Sequence, residues 1–192
     1  LHYPLRRQRQ MCIRDRSYLY RVSYKGPAST ALSKLDTTSS HAKARATRHM
    51  LEAFHGHPDP KAVETAWPYL SSEDYHLRYA ARIAIEWQDA KAWSDKAYSE
   101  KDDVAAIHAL LGLARSDLAG SLVPSVKRLL KVGFDNLDKT GKLALLRTYG
   151  VIMSRGGKPE SDQIKAIGHQ LDPHFPARDD NLNEELCRVL CY

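Results

Sequence analysis

The chain has 192 residues and a formal net charge of +6, with 43% hydrophobic, 27% charged and 8% aromatic residues. That balance fits one soluble globular domain with a buried core and excludes collagen-like, low-complexity and disulfide-dense classes. No window approaches 18 consecutive apolar residues, so no membrane-spanning helix is expected.

Residues 1–17 come first, with Arg6, Arg7, Arg9, Arg14 and Arg16 against Asp15 alone. Most of the net charge therefore sits in this segment. Without it the electrostatic case for a nucleic-acid partner largely disappears, and none is expected. A basic arm is the alternative reading. No apolar run follows the arginines, so no secretory signal peptide is read here. Met11-Cys12-Ile13-Arg14-Asp15-Arg16 resembles the peptide produced when a sequencing adapter is translated. The segment is therefore set apart from the fold as an artefactual tail, expected to pack against nothing.

Residues 18–25 are rich in aromatic and β-branched types. Tyr20, Val22 and Tyr24 would share one face of a strand, and Gly26-Pro27 would end it. No second strand is apparent, so the segment is either a strand separated from its sheet or extended coil. Residues 26–40, rich in Gly, Pro, Ser and Thr, read as a linker.

From residue 41 onward helical patterns dominate. A first helix is expected over 41–54, ended by Gly56 and Pro58. A second covers 60–70, with Pro68 bending or ending its last turn. Ser71-x-x-Asp74 resembles a capping box for a third helix reaching Trp87. Its stripe is Leu77, Ala80, Ala81, Ala84 and Ile85. A short helix is expected over 92–99. Asp102 and Asp103 favour the start of the next, with Val104, Ile107, Leu110, Leu111 and Ala114 as its apolar stripe. Helices follow over 122–132 and 142–155, the latter with Leu143, Leu146, Tyr149, Gly150 and Met153 inward. The last two cover 160–171 and 181–191, with Asn181-x-x-Glu184 as a plausible cap. The second members of the helix pairs begin near 41, 74, 103, 142 and 182, a spacing of 29 to 40 residues that marks a repeat architecture. The fold class expected is all-α, an α-solenoid of antiparallel helix pairs over 41–192 with a short N-terminal strand remnant.

The candidate chemical groups are few. His55 and His57 flank Gly56, but no third ligand stands at a metal-site spacing, so a helix-terminus role is preferred. His76 and His108 are read as packing or exposed groups. Glu52, Glu86, Asp102 and Asp103 offer carboxylates, with no pair at a known acid–base spacing. Ser154-Arg155-Gly156-Gly157-Lys158 lacks the spacing and ending of a phosphate loop and reads as a helix stop. Cys187 and Cys191 stand four apart on one helix face. They read as buried small hydrophobes, with a metal or disulfide pair as the alternative. Trp67, Trp87 and Trp93 are core or inter-repeat anchors, or else a possible interaction surface.

Asp74-Tyr75-His76-Leu77-Arg78-Tyr79-Ala80-Ala81-Arg82-Ile83-Ala84-Ile85 resembles the second helix of a HEAT repeat. Asp74, Leu77, Arg78, Ala81, Ala84 and Ile85 carry the match. The small residues would let neighbouring helices approach, and Asp74 and Arg78 could bond across repeats. Later repeats depart from the pattern, Ala105-Ala106 standing where the aliphatic-Arg pair would be.

A wider resemblance joins Leu19-Tyr20-Arg21-Val22-Ser23-Tyr24, Arg48-x-x-Leu51-Glu52-Ala53-Phe54-His55-Gly56, Trp67-Pro68-Tyr69-Leu70, Arg78-Tyr79-Ala80-Ala81-Arg82 and Leu182-Asn183-x-Glu185-Leu186-Cys187-Arg188. Together these are similar to large exported bacterial proteins. In that family a glucose/sorbosone-dehydrogenase-like quinoprotein β-propeller precedes HEAT-like repeats, and a cytochrome-c-like haem domain often follows. The resemblance makes residues 18–25 the last propeller strand. It implies an exported, periplasmic setting and a non-catalytic scaffold or interaction segment. Its partners would be the neighbouring propeller and haem domains of the parent chain, or another protein. The family's Cys-x-x-Cys-His is absent here, so no cofactor is expected in this segment and no catalytic residue carries over. Two other readings stay open: a wall of the parent dehydrogenase site, and a free-standing HEAT-type adaptor. The apolar stripe of the last helix, Leu182, Leu186, Val189 and Leu190, suggests a missing cover. Residues 40–192 alone are therefore expected to fold marginally and to self-associate through that helix.

Overall fold

Four of the helices start on an aspartate, and these starts set the frame of the molecule. In the computed structural model, which describes residues 23–27, 29, 31, 41–116 and 120–192, nine α-helices occur among the described residues and no strand. They are α1 (Ala42–Glu52), α2 (Ala62–Ala66), α3 (Tyr75–Glu86), α4 (Ser94–Ser99), α5 (Asp103–Arg115), α6 (Leu122–Leu129), α7 (Lys139–Gly156), α8 (Ser161–Leu171) and α9 (Asp180–Leu190). None of them is long and apolar enough to cross a membrane. Short 3-10 turns lie at Trp67–Tyr69, Ala90–Ala92, Phe134–Asn136 and Asp172–His174.

The chain divides into two compact units, Leu1–Thr37 and Thr38–Tyr192. In the first, residues 23–25 have no regular secondary structure. The expected tail over 1–17 and residues 18–22 of the expected strand lie outside the described residues, as does most of the linker.

In the second unit, Asp74 accepts from the His76 amide, and Asp102 from the amides of Val104 and Ala105. Asp138 accepts from Gly141, and Asp179 from Leu182. Each carboxylate satisfies amide donors that a helix start leaves free. The four capped helices, α3, α5, α7 and α9, together with α1, pack in succession: α1 on α3, α3 on α5, α5 on α7 and α7 on α9. The shorter helices pack beside them, α2 on α3, α4 on α5 and α6, α6 on α7, and α8 on α9.

Ala81 and Ala84 are fully buried on α3, as are Ala106 and Ala109 on α5. Small side chains there let helix backbones come close. Ala81→Phe is therefore expected to overpack the helix layer and to cost about 1–3 kcal/mol. Thermal melting followed by circular dichroism checks it, and an unchanged melting temperature would place Ala81 at the surface.

Several boundaries and faces differ from the sequence expectation. The second helix is only one turn long before Trp67–Tyr69 tightens into a 3-10 turn at Pro68. α7 starts three residues early because Asp138 caps it. The cap of α3 is Asp74 rather than Ser71, and that of α9 is Asp179 rather than Asn181. α5 is buried nearly all round, not on one stripe, because α3 and α7 flank it while α4 and α6 cover it. On α7, Leu143 and Gly150 are half-buried, while Leu145, Thr148 and Ile152 are buried. This helix meets α5, α6 and α9, so a wider arc is covered.

Two further corrections concern the last helix. Leu186 and Val189 are buried against the rest of this unit. Its stripe is thus covered from within, which removes the basis for self-association through it. Cys187 and Cys191 are free and exposed. They lie on the opposite side of α9 from its buried stripe, so they are neither core residues nor a disulfide.

Candidate functional site

A cleft of about 690 Å³ opens at the carboxyl ends of α3, α5 and α7, lined in part by Glu86, Trp87, Arg115, Val151 and Arg155. Its construction begins on α3. Tyr75, Tyr79, Arg82 and Glu86 recur every three or four residues and so share one face. The Tyr75 and Tyr79 rings stack with centroids 6.2 Å apart, and the Arg82 guanidinium carbon lies 5.1 Å from the Tyr79 ring centre. Arg82 Nε then stands 3.1 Å from Glu86 Oε1.

α5 supplies the second wall. Arg115 Nε donates to Glu86 Oε2 at 3.1 Å. Gly112 gives the pair room: a Cβ there would come within 3.3 Å of Glu86 Cγ and 3.5 Å of Arg82 Cγ. α7 supplies the third, with Arg155 Nη1 donating to the Arg115 carbonyl at 2.7 Å. One carboxylate is thus held by Arg82 and Arg115, with Arg155 behind. Burial still dominates its ionisation. It pushes the Glu86 carboxyl above the usual carboxylate range, although Arg82 and Arg115 pull the other way. Burial likewise lowers Arg82, with Glu86 opposing.

Trp87 sits just beyond α3 on the cleft rim and is 52% exposed. The other two tryptophans lie elsewhere. Trp67 is 7% and Trp93 1% exposed, their rings edge-to-face at 6.3 Å. The three do not form a common surface. Trp67 and Trp93 fill the space between the short helices and the α3–α5 layer, and Trp87 alone faces out. The Trp67 indole N–H donates to Glu100 Oε2 at 2.6 Å, which holds the Glu100 carboxyl below its ordinary range.

The repeat-signature residues take local roles. Leu77 is half-buried against the core, while Ala81, Ala84 and Ile85 are fully buried. Arg78 Nη1 donates to the carbonyls of Ser72 and Glu73, in the turn before its own helix, not across repeats. Asp74 is occupied as the α3 cap. Besides the Trp67–Glu100 bond, successive helix pairs are joined by residues outside the quoted motifs. Arg128 donates to the Glu100 carbonyl and to Asp103, and Gln163 to the Val123 carbonyl. Gln170 accepts from the Tyr149 hydroxyl and donates to the carbonyls of Leu129 and Val132.

The remaining candidates are likewise engaged in structure. His55 Nε2 donates to the Ala80 carbonyl at 2.9 Å, and His57 Nδ1 to the His55 carbonyl at 3.2 Å. Glu52 pairs with Arg48 and His49, Asp102 caps α5, and Asp103 pairs with Arg128. His76 is exposed, its ring against Tyr75. Gly157 ends α7 at φ 88°, a left-handed conformation that favours glycine. Among the described residues no three His, Cys, Asp or Glu side chains are grouped to hold a metal.

A second cleft, about 470 Å³, opens at the amino ends of α3, α5 and α7, with Glu73, Arg78, His108, Asp138 and Thr140 in its walls. His108 is held down to about 4 by burial first, then by Arg78 and Arg82.

Arg115 and Arg155 carried no sequence signal as a site. Each stands in the last turn of a helix, 40 residues from the other, and only that recurrence of arginine could have pointed to them. Compared with known proteins, the chain matches no family model, no curated protein and no solved structure.

Proposed function

We propose that residues 41–192 form an α-solenoid of HEAT-like helix pairs serving as a non-catalytic scaffold and interaction segment of a larger exported redox protein. In this reading it spaces or docks a quinoprotein-type propeller and a cytochrome-c-like domain, holds no cofactor, and presents a surface to a protein partner. The observation that carries it is the register of the tertiary bonds. Arg115 reaches Glu86 29 residues away, Arg128 the Glu100 carbonyl 28 away, Arg155 the Arg115 carbonyl 40 away, and Gln163 the Val123 carbonyl 40 away. These separations fall within the 28- to 41-residue range of the steps between the starts of α3, α5, α7 and α9, which supports the reading that each pair is tied to its neighbour in a stacked repeat. The aspartate starts at Asp74, Asp102, Asp138 and Asp179 and the serial packing of the capped helices support the same arrangement. The parentage rests on the motifs from Leu19 to Arg188 described above.

The test is the uninterrupted genomic locus, together with an assay of the purified chain. A propeller-coding region before residue 18 and a Cys-x-x-Cys-His domain beyond residue 192 are expected. The isolated chain should show no dye-linked dehydrogenase activity and no haem absorbance. A stop codon directly after Tyr192 with no propeller upstream would leave the free-standing adaptor as the correct reading.

A further inference from the structure

We infer that the cleft at the amino ends of α3, α5 and α7 binds a free α-amino acid with an apolar side chain, its carboxylate inward on Arg78 and His108 and its ammonium at the mouth, where Glu73 and Asp138 stand. The inference adds a small-molecule site to the helical unit and does not depend on the scaffold reading.

The placement of charge is the first argument. Arg78 and His108 are half-buried in the walls of this cleft, whereas Glu73 and Asp138 are exposed. The cation therefore sits deeper than the two acids. Arg78 forms no ion pair among the described residues; its Nη1 is used on the carbonyls of Ser72 and Glu73. Its Nε is buried without an acceptor, so the guanidinium is under-satisfied where it stands. The Nη2 edge remains for a carboxylate, the partner that suits a guanidinium fork. Arg82, the other guanidinium that reaches His108, is already taken up by Glu86. The two carbonyl bonds fix Arg78 before any ligand arrives, which lowers the ordering cost of binding.

The imidazole is the second argument. Among the described residues no hydrogen bond holds the His108 ring. Burial and the two guanidiniums keep it neutral at pH 7, so one ring nitrogen donates and the other accepts. A neutral donor beside one cation suits a single carboxylate. The helix starts do not supply these donors, because Asp74, Asp102 and Asp138 already cap them.

The mouth decides the rest of the ligand. Glu73 forms no ion pair, and Asp138 uses one oxygen on the Gly141 amide and has no cationic partner. Two carboxylates near one guanidinium disfavour a plain anion, so the ligand must bring a positive group as well. An α-amino acid carries both charges on one carbon. Val104 and Leu137 add an apolar strip to the wall, which an aliphatic side chain would cover. The volume of about 470 Å³ lies within the range of small-ligand clefts.

The test is isothermal titration calorimetry of the whole chain at pH 7. L-Leucine should bind saturably, with a Kd of roughly 1 mM or tighter. Glycine lacks the side chain, L-leucinamide the carboxylate and N-acetyl-L-leucine the ammonium. Each should bind about tenfold or more weakly than leucine. Arg78→Gln should weaken leucine binding about tenfold or more, and Glu73→Gln, at an exposed side chain, about three- to tenfold. Lys165→Gln, on the exposed face of α8, should leave it unchanged. Arg78 also braces the turn before α3, so if Arg78→Gln loses its helical circular dichroism, Glu73→Gln alone decides. No saturable heat with leucine, or binding indifferent to Glu73→Gln, overturns the inference. N-acetyl-L-leucine binding as tightly as leucine also overturns it and assigns the cleft to the carboxyl end of a peptide.

Discussion

Trp93→Ala is expected to destabilise the helical unit by about 3–5 kcal/mol, a large share of the ~5–15 kcal/mol that holds an ordinary domain together. Trp93 is almost wholly buried and meets the Trp67 ring edge-on. Lys96 lies 4.4 Å over Trp67 on another side, and Glu100 fixes the Trp67 indole nitrogen. Truncating Trp93 thus leaves a cavity whose other wall is already pinned, so little collapse can offset the loss. The Trp93 indole N–H is buried and finds no hydrogen-bond partner. Trp93→Phe removes that unsatisfied donor while keeping most of the ring, so its loss should be well below that of Ala. Urea unfolding followed at 222 nm distinguishes the two. Equal losses for Phe and Ala would mean that the indole nitrogen is satisfied and ring volume is not what matters. A Trp93→Ala protein as stable as the parent would put the residue in solvent.

Acidification through His108 should be the second large effect. In the unfolded chain the imidazole titrates near its ordinary 6.5; in the fold it is held to about 4. Between those values the unfolded state binds the proton and the folded state does not. Stability therefore falls as the pH drops through that window, by about 3 kcal/mol across it, and is unaffected by this group above or below. The cause is burial on α5 first, then the guanidiniums of Arg78 and Arg82. Urea midpoints of the parent and of His108→Gln at pH 7 and pH 4 test it. The parent should lose more than the variant. Glu86, whose raised carboxyl favours the fold as pH falls, and Glu100, whose lowered carboxyl disfavours it below the carboxylate range, act alike in both proteins. The difference between the two proteins then isolates His108. Equal losses would mean that the His108 ring is solvated.

Local bonds made the architecture readable. The caps at Asp74 and Asp102 act on amides two or three residues away, so the chain carries their message in adjacent letters. Gly157 and the Pro68 turn are local for the same reason. Where two cap-like residues lay close together, as Ser71 with Asp74 or Asn181 with Asp179, pattern could not choose between them. In each case the aspartate caps the helix, and at α3 Ser72, not Ser71, turns its hydroxyl to the Asp74 amide.

The site was not readable in the same way. Glu86, Arg115 and Arg155 stand 29 and 40 residues apart. They converge only because α3, α5 and α7 pack in one register, with Gly112 leaving room between the first two. The fates of like residues were settled at the same level. Trp67 and Trp93 went inside while Trp87 stayed out, and Cys187 and Cys191 face solvent although cysteine is usually buried.

By itself, then, the sequence determined the all-helical class, the order of the helices and the spacing of the pairs. Helix periodicity, aspartate caps and Gly/Pro ends act within a few residues, so adjacent letters suffice to read them. Only the tertiary structure decided which side of each helix is covered, where His108 loses its water and how Arg82 and Arg115 meet one carboxylate. Those outcomes depend on side chains tens of residues apart being brought within 3 to 4 Å, and that distance is set by packing rather than by any neighbouring residue.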